Sequence, residues 1–209
     1  MRLPAIDAKR KWLAFAAGYV GFCALYVFTG RVHWRAPAPL PLWAIDRLIP
    51  FIDWTVWIYH TQFFFLLFAV WAIRQTVNLS RTLYAMAMAS AISFAVFFVY
   101  PTTLPRAAMA SDVVTARAFE FLYRVDPATN CLPSLHVALA ALAAFGVASE
   151  SKRLGSAAIF WAGLIGLSTL TTRQHYFIDV LAGLCVAGVS RLCAGRLSFA
   201  APSLAVTGD

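Results

Sequence analysis

The most constraining feature of this sequence is a series of apolar stretches, most of them long enough to cross a membrane as a helix. A helix rises about 1.5 Å per residue, so about 20 apolar residues span the hydrocarbon core of a bilayer. Six such stretches occur, at residues 12–29, 54–73, 82–100, 134–149, 155–171 and 176–193. Only 12% of the residues are charged, about half the share of an average soluble domain. The sequence therefore predicts an all-α, polytopic membrane protein, built as a bundle of six transmembrane helices.

The segments outside these stretches predict a single membrane domain with two short tails. Residues 1–11 form a basic tail, residues 12–194 hold all six predicted spans, and residues 195–209 form a second, loose tail. Between the third and fourth spans, residues 112–123 place several apolar side chains on one helical face. This pattern predicts a short helix lying in the membrane interface.

The distribution of basic residues predicts the orientation of the bundle. Six spans put both termini on one side of the membrane. Ten of the 17 Lys and Arg residues lie on that side: Arg2, Lys9, Arg10, Lys11, Arg74, Arg81, Lys152, Arg153, Arg191 and Arg196. The positive-inside rule then predicts cytoplasmic termini, in a multi-pass protein of the cell inner membrane. The basic residues stand alone or in runs of two or three near span ends and form no basic stripe, so the net charge of +8 indicates orientation in a bilayer and no nucleic-acid partner.

Two segments that contain histidine stand at the same predicted membrane face. One is Pro133-Ser134-Leu135-His136, and the other runs from Thr171 to Asp179 and includes His175. His175 and Asp179 are four residues apart, so they lie on one helix face about one turn apart. A carboxylate that accepts from an imidazole N–H fixes its tautomer and leaves the other nitrogen free to attack. Asp179 near the start of an apolar span is a functional candidate, with a helix-capping or solvated carboxylate as the alternative.

The start of the fourth predicted span has the features of an anion site. Pro133 and Ser134 mark a helix N-terminus, where free amides and the helix dipole favour a negative charge. His136 in that first turn is suited to donating a proton to a leaving group, and its alternative is an interfacial histidine. Arg173 is suited to binding phosphate oxygens in a fork, with a snorkelling interfacial arginine as the alternative. These residues together predict a site for the phosphate ester of a lipid.

The remaining cysteines and histidines predict no further site. The four cysteines show no spacing typical of a metal site, so we predict neither a disulfide nor a bound metal ion. His60 lies within the second predicted span. It is expected to be a polar group packed between helices, or alternatively to line a substrate cleft.

The histidine segments resemble the motifs of the type 2 phosphatidic acid phosphatase superfamily of membrane lipid phosphatases and phosphotransferases. That family carries a lysine with a following Arg-Pro, then Pro-Ser-Gly-His, then Ser-Arg, five residues, His, three residues and Asp. Residues 133–136 resemble the second motif, with Leu135 in place of the glycine. His175 and Asp179 resemble the end of the third motif, and Arg106 resembles the arginine of the first.

The chain departs from this family pattern at several positions. Val99 stands where the first motif has its lysine, and Ala107 stands where it has its proline. Thr169 replaces the arginine of the third motif, and Arg173 is expected to take its place. A Pro-Ser-Leu-His segment and a His-Tyr-Phe-x-Asp segment also occur in the branch that contains inositol phosphorylceramide synthases. The chain therefore resembles that branch of the family.

The resemblance implies a metal-independent enzyme that needs no cofactor. His175 is expected to attack phosphorus and form a phosphohistidine, Asp179 to orient it, and His136 to protonate the departing oxygen. The residues expected to hold the phosphoryl oxygens are Arg106, Arg173 and Ser134.

Three functions are considered for this chain. The first is hydrolysis of a lipid phosphate monoester at the extracytoplasmic face, with the lipid and the membrane bilayer as partners. The second is a phospholipid headgroup phosphotransferase that resembles inositol phosphorylceramide synthase. The third is a non-catalytic membrane scaffold or a transporter, although a transporter of this size is expected to show an inverted repeat, and the sequence shows none.

Overall fold

The protein is mostly helical in its computed structural model, which describes residues 2–106 and 112–200. The α-helices of this part are α1 Lys11–Thr29, α2 Ala44–Leu48, α3 Val56–His60, α4 Gln62–Ala72, α5 Thr76–Val99, α6 Val113–Val125, α7 Leu135–Ala148, α8 Lys152–Thr171 and α9 Phe177–Gly195. A 3-10 turn, Asp53–Thr55, leads directly into α3. Two short strands, β1 Ala38–Pro39 and β2 Thr102–Thr103, pair in parallel.

Five helical segments of the described residues are long and apolar enough to cross a membrane. They are α1, the segment Asp53–Ala72 that joins the 3-10 turn to α3 and α4, and then α5, α8 and α9. The expectation of a polytopic helical protein agrees with these lengths. The remaining apolar helix, α7, has 14 residues and is shorter than the other five. The sixth span therefore stays a prediction.

The short helix α7 lies at the centre of the bundle. It packs against α4, α5, α8 and α9, and nearly all of its residues are buried. Helices that are apolar on all sides are stable only when neighbours surround them. Many of its side chains are alanines, which let neighbouring helices approach closely. The N-terminus of α7, where His136 lies, is therefore held from several sides.

The third span begins earlier than the sequence analysis predicted. We expected residues 74–81 to form a turn, but α5 begins at Thr76 and contains all the polar residues up to Thr82. The hydroxyl of Ser80 donates to the Thr76 carbonyl, and the amide of Asn78 donates to Glu150. Because these polar side chains find partners within the helix or on the neighbouring turn, the helix continues through them.

The helix expected before the fourth span is present as α6. Asp112 is its N-cap and accepts from the amides of Val114 and Thr115. On its buried face, Phe119 and Leu122 pack against Val56 and Tyr59 of the second span. Its location in a membrane interface stays a prediction.

The first and last described segments, around Leu3 and Ser198, lie at the end of the bundle opposite the histidine segments. The Leu3 amide donates to Ser198, and Lys11 at the start of α1 donates to the Val70 carbonyl at the end of α4. Residues 201–209 of the predicted loose tail lie outside the described residues. The side of the membrane that each end faces stays a prediction.

Candidate active site

His175 and Asp179 form the centre of the site. The Nδ1 atom of His175 lies 3.3 Å from Oδ2 of Asp179, and both side chains are buried, with 5% and 0% exposed. A carboxylate at Nδ1 favours the tautomer that carries a proton there. This arrangement leaves Nε2 as the nitrogen with a free lone pair, as a nucleophile requires.

The connection from α8 to α9 fixes this pair locally. After Thr171 the chain turns through Arg173, whose φ of 57° is in the left-handed region, which most L residues avoid. The His175 amide then donates to the Thr169 carbonyl, at 3.0 Å. Oδ2 of Asp179 also accepts from the Tyr176 amide at 2.9 Å, so one carboxylate both caps α9 and orients the histidine.

The N-terminus of α7 is bound directly to the start of α9. The Ser134 amide donates to the Asp179 carbonyl at 3.0 Å, and its hydroxyl oxygen accepts from the Val137 amide at 3.4 Å. Ser134 is thus the N-cap that the sequence predicted, and its side chain is fully buried. The two histidine segments are held together by main-chain contacts as well as by side chains.

His136 lies next to His175 in the structure. Their ring centroids are 6.2 Å apart. Nδ1 of His136 is 3.2 Å from the hydroxyl oxygen of Tyr59, and the two ring centroids are 4.1 Å apart with the ring planes tilted by 31°. Tyr59 thereby contacts Nδ1, and Nε2 is the ring nitrogen on the opposite side of His136.

A small open pocket borders His175. It has a volume of about 20 Å³, and Arg106, Asp126, Cys131 and Gln174 are among the residues that line it. Nη2 of Arg106 donates to the Asp126 carbonyl at 2.6 Å. Among the described residues that line the pocket, Arg106 is the one arginine or lysine. A space of this size holds about one water molecule, so a phosphate bound here needs the mouth of the pocket as well.

Asp126 is a site residue that the sequence analysis did not identify. Its two carboxylate oxygens accept from the hydroxyls of Tyr26 and Tyr59. Burial raises the pKa of Asp126, while those hydroxyls and the nearby His175 and Arg106 act in the opposite direction. No local pattern indicated this residue, because its partners come from helices far away in the sequence. Burial also raises the pKa of Cys131, as do the nearby Asp179 and Asp126, so this thiol stays protonated.

Arg173 does not line the pocket with Arg106. Its Nη1 donates to the Asp46 carbonyl at 2.9 Å, and its Nη2 donates to the Ile49 carbonyl at 2.7 Å. Asp46 in turn accepts from the Phe177 amide at 2.7 Å, at the start of α9. The loop around α2 is thus fastened to the turn between α8 and α9 by two residues, and Asp46 was not identified from the sequence.

Thr169 and His60 also lie outside the pocket. Thr169 is fully buried, and its hydroxyl donates to the Gly166 carbonyl of its own helix. Nε2 of His60 lies 3.2 Å from the Ala118 carbonyl of α6. Within the described residues, no three His, Cys, Asp or Glu side chains are grouped in a way that would hold a metal ion.

Comparison with known proteins gave one finding on the family. A family model described as the PAP2 superfamily matches residues 24–193, which include all the site residues described above. No curated protein matches the chain.

Proposed function

The chain belongs to the PAP2 superfamily, and on this premise we propose that it is a membrane phosphatase that hydrolyses a lipid phosphate monoester through a phosphohistidine intermediate. Membership of the superfamily supports a phosphatase-type phosphoesterase, and the apolar helices fit a membrane protein. The observation that carries the proposal is the buried His175–Asp179 pair, whose histidine lines a pocket together with Arg106. The reaction is proposed to take place at the extracytoplasmic face.

In the first step of this mechanism, Nε2 of His175 attacks phosphorus. The lipid oxygen leaves and takes a proton from His136, whose ring lies beside that of His175. Asp179 stabilises the positive charge that develops on His175. Water then attacks the phosphohistidine and loses a proton to His136, which returns both histidines to their starting forms.

The phosphoryl oxygens need positive charge and N–H donors. Arg106 supplies the charge: its guanidinium lies 4.2 Å from the centre of the Tyr123 ring, and one of its five N–H donors binds the Asp126 carbonyl. The first amides of α7 have no acceptor within the helix and add further donors. In this proposal Ser134 acts by capping α7, and Arg173 acts by fastening the turn before His175.

A second candidate function is transfer of a phospholipid headgroup to an acceptor alcohol. The observation in its favour is the positive charge of the pocket, where the described lining residues include one arginine and no lysine. A phosphodiester carries one negative charge and needs fewer cations than a monoester dianion. The same His175 chemistry serves both reactions, and only the group that attacks the phosphohistidine differs.

The test is turnover of the purified protein in detergent with EDTA. The substrates are lipid phosphate monoesters, phosphodiester lipids and acceptor lipids, and mass spectrometry identifies each product. Free phosphate from a monoester supports the phosphatase, and a headgroup on an acceptor lipid supports the transferase. His175→Ala should abolish either activity, whereas His33→Gln, at a histidine outside the pocket, should not. No product beyond that of His175→Ala on any substrate would contradict both functions and favour a scaffold or transporter.

A further inference from the structure

Four side chains from separate parts of the chain form one continuous series of hydrogen bonds. Tyr26 of α1 donates to Oδ1 of Asp126, and Tyr59 of α3 contacts Oδ2 at 3.0 Å. The same Tyr59 hydroxyl oxygen lies 3.2 Å from Nδ1 of His136. Asp126 and His136 are thus joined through a single hydroxyl group.

The proton of Tyr59 can bind only one of these neighbours at a time. When Asp126 is ionised, Tyr59 donates to the carboxylate and accepts from Nδ1–H of His136, so Nε2 has a lone pair. When Asp126 is protonated, it donates to Tyr59, and Tyr59 donates to Nδ1, so Nε2 carries the proton. The protonation state of Asp126 therefore decides which ring nitrogen of His136 carries the proton.

We propose that Asp126 and Tyr59 form a proton relay that sets the tautomer of His136, so that this histidine is the acid in one step and the base in the next. The inference rests on the proposed function, because it assigns these roles to the two steps at His175. Asp126 and Tyr59 act through His136 and are positioning residues.

The relay balances in each step. In the first, Nε2–H of His136 goes to the departing oxygen, the Tyr59 proton moves to Nδ1, and the Asp126 proton moves to Tyr59. This leaves a carboxylate and a neutral His136 whose Nε2 has a lone pair. In the second, Nε2 takes a proton from the attacking water or alcohol, and the two other protons move back. His136 remains neutral at the end of both steps.

The surroundings of Asp126 suit this role. Burial favours its protonated form, and the groups that face it are Tyr26, Tyr59, Arg106, Cys131 and His175. The titratable groups that face His136 are Tyr59, His60 and His175. Within the described residues no carboxylate contacts His136 directly, unlike His175 with its Asp179. Because His136 stays neutral in this relay, it can transfer protons without a carboxylate to stabilise its imidazolium form.

Packing alone is the competing explanation for Tyr59. Its ring covers that of His136 with centroids 4.1 Å apart, so Tyr59 would be needed for shape even without proton transfer. Tyr59→Phe separates these roles, since it keeps the ring and removes the hydroxyl. Tyr84→Phe is the matched control, because the Tyr84 hydroxyl bonds the Pro4 carbonyl at the far end of the bundle.

The test that needs no substrate is nitrogen-15 NMR of histidine-labelled protein in detergent across a pH series, with His136→Gln to assign the signals. In wild type, His136 should change from the Nε2–H to the Nδ1–H tautomer as Asp126 loses its proton. Tyr59→Phe and Asp126→Asn should each show no such change. Tyr26→Phe should keep the change but move it to higher pH, because the carboxylate loses a donor. The same pH-dependent change in Tyr59→Phe as in wild type would overturn the relay.

Turnover gives the second measurement. Tyr59→Phe and Asp126→Asn should lower kcat by about 10²-fold or more, within the range of general acid–base catalysis, with KM little changed. Tyr84→Phe should turn over like wild type. If wild type has no turnover, the proposed function fails while the NMR experiment still decides on the tautomer change. If wild type turns over and Tyr59→Phe has the same kcat, the relay is contradicted while the proposed function stands.

Discussion

Gly183 of α9 lies against the carbonyl oxygen of Ser134 at the N-terminus of α7. A Cβ atom on Gly183 would be 2.5 Å from that oxygen, closer than side-chain carbons approach main-chain atoms. Gly183 is one turn after Asp179, whose carbonyl accepts from the Ser134 amide. The close approach therefore sets the distance between the helix that carries His136 and the helix that follows His175.

Gly183→Ala should separate these two helices. The Ser134 carbonyl belongs to the main chain and cannot move aside as a side chain does, so overpacking should cost about 1–3 kcal/mol. A displacement of about 1 Å between catalytic groups lowers rates by about 10²-fold, and we expect a fall in kcat of that order. Gly188→Ala on the same helix is the control, because a Cβ there meets nothing within 4 Å. Equal turnover of the two variants would contradict this account.

Asp179→Asn should lower kcat by about 10³–10⁴-fold, because the amide no longer favours the productive tautomer of His175. Oδ2 of Asp179 also accepts from the Tyr176 amide, and an amide nitrogen at that position cannot accept, so the variant also leaves the buried Tyr176 N–H unpaired. We expect a stability cost of about 1–3 kcal/mol. Turnover and thermal unfolding in detergent should be measured together, with Asp7→Asn at the other end of the bundle as the control. Unchanged turnover would reduce Asp179 to a capping role.

The sequence could predict the parts of the site that depend on local spacing. His175 and Asp179 are one helical turn apart, and Ser134 is the type of residue that caps a helix, so both features follow from neighbouring residues. The helix predicted at residues 112–123 followed in the same way from its apolar face, and α6 covers Val113–Val125. These features depend on backbone geometry over a few residues, which the sequence encodes directly.

The rest of the site depends on contacts between distant residues. Asp46 and Arg173 fasten a proline-rich loop to the turn before α9, and their partners are more than 120 residues away in sequence. Asp126 is bonded to tyrosines from two other helices. A single sequence shows no periodicity for such pairs. The start of α5 was misplaced for a related reason, since Glu150 provides a partner for Asn78.

Arg173→Ala should destabilise the protein more than it weakens substrate binding. The variant removes two hydrogen bonds from a charged donor to carbonyl groups, each worth about 1.5–3 kcal/mol. Arg173→Gly loses the same bonds but relieves the left-handed backbone, so it should be more stable than the alanine variant by about 1–2 kcal/mol. The thermal unfolding temperature and the KM of both variants distinguish a stabilising role of Arg173 from direct phosphate binding. A raised KM with unchanged unfolding temperature would instead support direct phosphate binding by Arg173.

Asp126→Asn should change how stability depends on pH. Burial raises the pKa of Asp126 in the folded protein, so the folded state holds this proton more tightly than the unfolded chain. That stabilisation is complete below the ordinary carboxyl pKa of about 3.9 and is lost as pH rises through the raised value. The unfolding temperature of wild type should therefore fall relative to Asp126→Asn over this window. The pKa of Asp112 shifts in the opposite direction, because hydrogen bonds with Thr115, chiefly through its side chain, lower it. Wild type should therefore lose stability relative to Asp112→Asn only as pH falls through that lowered value. The same pH dependence in wild type and Asp126→Asn would show that Asp126 ionises as freely as an exposed carboxylate.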